Sequence, residues 1–143
     1  MADHPPPEPT LPPWRLNILR FFYLLIAFGM GVGIWSQLLG ATPDWPLMRG
    51  IAKSMLAALA LLCLLGVRHP LKMLPLLLYE LAWKTVWLTF IALPAWRAGQ
   101  MTADQLQSFY ECIGVVLLYI VLPWRYMWRR YWALPADPWR KPR

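Results

Sequence analysis

Apolar residues run through the middle of this chain in four blocks, each closed by proline, glycine or a cluster of charge. The first block, Phe21 to Leu39, carries only Ser36 and Gln37 as clearly polar members. At 1.5 Å per residue it is about 28 Å long as a helix, close to the thickness of one hydrocarbon core. It is too long for the apolar region of a signal peptide, follows a polar lead, and lacks a small-x-small cleavage pattern. The second block, Ile51 to Val67, is interrupted only by Lys53 and Ser54 near its start, where a lysine can extend its ammonium to the headgroups. Asp44 followed by Trp45 and Pro46 predicts a helix start, with Asp44 as N-cap and proline in the first turn.

Pro70 in Val67-Arg68-His69-Pro70-Leu71 blocks helix continuation, so the second and third helices should form a hairpin. The third block runs from Met73 to Trp96 and contains Glu80 and Lys84. The fourth opens on Thr102-Ala103-Asp104-Gln105, which fits a capping box with Thr102 as N-cap and Gln105 at N3. From there the pattern continues past Pro123 to Trp132, about 45 Å as one helix, so its last turns should leave a bilayer core. The expected organisation is all-α, an integral-membrane four-helix bundle over 16–132 with helices at about 16–39, 45–67, 73–96 and 103–132. A Pro-rich lead (1–15) with no fixed structure precedes it, and a basic tail (133–143) follows.

Composition points the same way. Hydrophobic residues make up 59% of the 143 residues against the usual 45–50%, and charged residues 15% against about 25%. The charge that remains is asymmetric. Arg15, Arg20, Arg68, Lys72, Arg125, Arg129, Arg130, Arg140, Lys141 and Arg143 fall on one side of the predicted bundle, and Arg49, Lys53 and Arg97 on the other. The positive side is cytoplasmic, so both termini are expected in the cytoplasm.

The stretch Trp124 to Trp132 alternates aromatic and basic residues where the last helix leaves the bilayer. Trp and Tyr prefer the headgroup level, and arginines pair with anionic lipid phosphates at about 1 kcal/mol each. Arg125, Arg129, Arg130, Trp128 and Trp132 are therefore expected to contact anionic lipid rather than nucleic acid, and a partner-docking role is the alternative.

An ionisable residue inside a membrane helix costs about 2.5–3.5 kcal/mol on insertion scales and marks a functional candidate facing the bundle interior. Glu80 and Lys84, four apart with the acid first, share a helix face with Trp83 and Trp87 and can neutralise each other. Two readings stand: a self-satisfied ion pair that orients the third helix, or a proton or ligand site. Glu111 on helix four is expected to reach Lys53 or Arg49 as an ion pair at the outer level. Gly29 and Gly33 form a GxxxG, and Ala27 with Gly31 a second small-xxx-small pair; both are helix-packing candidates, within the bundle or between copies.

Cys63 and Cys112 are expected at different depths and unbridged. There is no CxxC, no nucleophile or nucleotide motif, and no His spaced for a metal, so neither a metal nor a cofactor is expected.

Residues 15–27, 68–84 and 123–126 resemble segments of a group of uncharacterised small four-span bacterial inner-membrane proteins. The resemblance implies a bacterial inner membrane and transfers no activity. At fold level the chain is also similar to DoxX-like proteins and to small multidrug-resistance transporters, although its first helix lacks the membrane carboxylate of the latter. Three functions follow as expectations: a non-enzymatic accessory or assembly partner of a larger membrane complex, a proton-linked small-molecule transporter using Glu80, and a lipid- or quinone-modifying enzyme. The partners expected are the bilayer, with its anionic lipids, and either a membrane protein or a second copy.

Overall fold

The computed structural model describes residues 11–40 and 44–133, whose regular structure is all helical, with no strand among them. Most of the Pro-rich lead and all but the first residue of the basic tail lie outside the described residues. The elements are α1 (Pro13–Leu39), α2 (Leu47–Arg68), α3 (Leu74–Arg97), α4 (Ala103–Val121) and α5 (Trp124–Ala133). Three of them, α1 to α3, are long and apolar enough to cross a membrane, and α4 with α5 makes a fourth if the bent pair counts as one span.

Helix α1 starts three residues earlier than the pattern predicts. Pro12 is extended and Pro13 occupies the first turn, where its missing N–H and fixed φ cost nothing. Asp44 does not cap α2: Pro46 is the extended residue before the helix, and its carbonyl accepts from the N–H groups of Arg49 and Gly50 at 2.9 and 3.1 Å. The proline ring keeps Trp45 out of the helical region, which leaves Asp44 too far back to serve.

The Thr102–Gln105 capping box does form. Gln105 N donates to Thr102 Oγ1 at 3.2 Å and Thr102 N to Gln105 Oε1 at 3.0 Å. Just before it, α3 ends in a Schellman turn. Gly99 takes φ +65°, with Gly99 N donating to Trp96 O and Gln100 N to Ala95 O, each at 3.1 Å.

The expected thirty-residue fourth helix is two helices bent by 73°. Pro123 has no N–H to give, and it pushes Leu122 to φ −58°, ψ 132°. Pro94 in α3 has no such effect, because a π-helical turn over Leu88–Ala92 widens the helix just before it and makes room for the ring. A second widened turn, Leu25–Met30, lies in α1.

Helix α1 packs on α2 and α4, α2 on α3, and α3 on α4, which closes a ring. The core is densest where α1 begins and α2 ends, around Leu19, Tyr23, Cys63, Leu74, Leu77 and Leu118. Tyr126 and Met127 of α5 join it from the end of the bundle. The outward faces are apolar as well: Phe21, Phe28, Val32, Leu61, Phe90 and Ile120 are all exposed.

The two small-residue stripes separate. Ala27 and Gly31 are buried, and a Cβ on Gly31 would stand 3.1 Å from that of Ala60, so the α1–α2 contact depends on this stripe. Gly29 and Gly33 point outward, and a Cβ on Gly33 would meet nothing within 4 Å. Gly31→Val is therefore expected to cost about 1–3 kcal/mol through overpacking, while Gly33→Val leaves the thermal unfolding midpoint in detergent unchanged.

Candidate functional site

Among the described residues the buried charged side chain is Glu80, on the face of α3 turned toward the bundle interior and only 1% exposed. Its two oxygens are held from a single turn of its own helix. Lys84 Nζ lies 2.7 Å from Oε1, and Trp83 Nε1 donates to Oε2 at 2.7 Å. Residues three and four along a helix lie over the same patch of surface, so one acid can take both donors without bending the backbone. The Lys84 ammonium also lies 5.6 Å from the centre of the Trp83 ring, which gives the cation a second neighbour. Trp87 is half-buried one turn further on.

Around this turn the neighbouring helices supply small polar groups. Cys63 of α2 and Cys112 of α4 are buried free thiols. One turn beyond Glu80, Thr85 Oγ1 donates back to Leu81 O at 2.6 Å, so Tyr119 of α4, 2.9 Å away, must donate its O–H to Thr85. This bond ties α3 to α4.

The outer ion pair expected of Glu111 with Lys53 or Arg49 does not form. Lys53 turns toward the end of α1, donating to Gln37 Oε1 with its Nζ 4.4 Å from the centre of the Trp45 ring. Glu111 accepts from Gln107 Nε2 at 3.2 Å within α4. Glu111 is exposed and Lys53 half-buried, and a local hydrogen bond competes on equal terms with an ion pair of that exposure. Arg49 is exposed in the first turn of α2. Arg125, Arg129, Arg130, Trp128 and Trp132 are all exposed on α5.

The sequence pattern does not single out Tyr23 or Gly66, yet the Tyr23 ring fills the space that a Cβ on Gly66 would take. Tyr23 is fully buried, its hydroxyl donates to Pro70 O at 3.0 Å, and its ring lies directly against Gly66. Here the α1 face is locked to the α2–α3 turn.

Two surface recesses stand out, and neither is lined by Glu80. One of about 520 Å³ lies at the start of α2, against Trp45, Gly50 and Ser54; the other, about 770 Å³, lies along α5. No protein-family model, curated protein or solved structure matches the chain.

Proposed function

We propose that the chain is a four-span protein of a bacterial inner membrane, with both termini cytoplasmic, and that it is a non-enzymatic accessory or assembly partner of a larger membrane complex. The observation that carries this reading is the closure of Glu80, both of whose oxygens hold donors from its own helical turn. A proton-coupling acid has to exchange those partners for substrate or water in each cycle, whereas an orienting ion pair keeps them. Exposed apolar side chains around the bundle support the membrane placement, and the ten-to-three bias in basic residues supports the orientation.

Native mass spectrometry of the protein extracted from its own membrane in a mild detergent is expected to show a recurring stoichiometric partner. A lone chain or homo-oligomer that drives substrate-dependent proton flux, lost in Glu80→Gln, would replace this reading with the transporter. For the orientation, a reporter fused after Arg143 is expected to be active in the cytoplasm; activity in the periplasm would reverse the topology.

A further inference from the structure

The groove along α5 combines features that a helix end merely resting on a bilayer does not need. Helix α5 turns away from α4 by 73° and lies across the end of the bundle, which leaves a cleft between its own side chains and Leu78 of α3. Met127 is buried at the base of this cleft. The Trp128 and Trp132 rings, one turn apart, stack with centres 5.7 Å apart and planes within 6° of parallel. Together they form one stacked aromatic pair on the groove lining, although the two residues are 64% and 76% exposed. At the mouth Trp124 is fixed: its indole donates to Tyr119 O at 2.7 Å and its ring stacks on that of Tyr119.

Arg125 and Arg129, also one turn apart, line the same groove. The chain has no acidic residue between Glu111 and Asp137, so no neighbouring carboxylate in sequence offsets this charge. Tyr131 also lines the groove and brings a phenol O–H to it. The groove is thus long, apolar and aromatic on its walls, with cationic groups beside it. Its volume, about 770 Å³, falls in the range of about 300–1,000 Å³ that bound small molecules occupy.

We propose that this groove is a binding site for one anionic phospholipid, whose phosphate pairs with Arg125 and Arg129 and whose acyl chain lies against Trp128, Trp132 and Leu78. The charge selects an anionic headgroup over a zwitterionic one, and the aromatic wall selects a chain over a free phosphate. The site rests on the membrane reading above and sharpens it, because general attraction to anionic lipid needs no cleft.

The test is native mass spectrometry of the full chain in detergent, titrated with dioleoylphosphatidylglycerol or dioleoylphosphatidylcholine. One phosphatidylglycerol should be retained about tenfold more tightly than phosphatidylcholine. Arg125→Gln/Arg129→Gln should abolish that preference, while Arg68→Gln/Lys72→Gln, which removes the same charge from the α2–α3 turn, should keep it. Leu78→Trp, which fills the groove without touching its charge, should weaken retention of both lipids.

Equal retention of the two lipids, or equal loss in both double variants, would overturn the site. So would a dimer that replaces the lipid adduct and is lost in Arg125→Gln/Arg129→Gln, since the groove would then hold a second copy. Release of the protein from membranes by a carbonate wash would instead refute the membrane reading itself.

Discussion

Lys84→Met is expected to destabilise the fold by about 3–5 kcal/mol, because it leaves the buried Glu80 carboxylate with only the Trp83 indole for company. Removing the acid instead should cost less. Lys84 is 17% exposed, and its long stem allows the ammonium to turn outward, whereas Glu80 at 1% has nowhere to go. The double variant Glu80→Leu/Lys84→Met should recover most of the loss, since buried ion pairs replaced by apolar residues of similar volume are often neutral or better. Recovery should fall short by about 1 kcal/mol, the net worth of the indole hydrogen bond that disappears with the acid. Unfolding in mixed detergent micelles, followed by the loss of helical signal, measures all three variants. Additive losses would mean that the two side chains act independently, and the orienting role of the pair would fall with that result.

Gly66→Ala is expected to be nearly as damaging, for the opposite reason. Its new Cβ would stand 2.3, 2.4 and 2.6 Å from three ring carbons of Tyr23, closer than real contacts allow. Overpacking usually costs about 1–3 kcal/mol. The upper end applies here, because the ring cannot swing aside while its hydroxyl is anchored to Pro70 O on the turn behind it. Tyr23→Leu in the same chain should relieve the clash, so Tyr23→Leu/Gly66→Ala should be more stable than the sum of its single variants predicts. Thermal unfolding of the four proteins provides the cycle.

The parts of this structure legible in the sequence are those fixed by local chemistry. The Thr102 box needs only a hydroxyl and an amide three residues apart, and the Glu80–Lys84 pair only a spacing of four, so both can be read from a few residues. The positions of α1 to α3 follow from apolar length. What is not legible depends on partners distant in the chain. That Tyr23 rests on Gly66 requires knowing the α1–α2 contact, and nothing near Lys53 says that it will choose Gln37 over Glu111.

Proline is the hardest case, since the same residue gives two outcomes. At Pro94 a widened turn keeps the helix going, and at Pro123 an extended Leu122 breaks it. The site on α3 was visible as a charged patch. Its closure was not, because that depends on a rotamer which brings the Trp83 indole back to Glu80.

A wide turn also sets the phase of a helix. Leu19, Tyr23, Ala27, Gly31 and Trp35 are spaced by four, and all are buried or half-buried. In a regular α-helix each such step would drift about 40° around the axis, and by Trp35 the stripe would have left the face on which it began. The Leu25–Met30 turn takes up part of that drift, and Trp35 still faces α2, its indole donating to Ala57 O at 3.3 Å. The turn is also the reason Gly31, rather than the GxxxG beside it, meets Ala60. A residue gained or lost within this turn changes its width while the flanking faces hold their bearing; the same change two turns away would rotate every residue that follows.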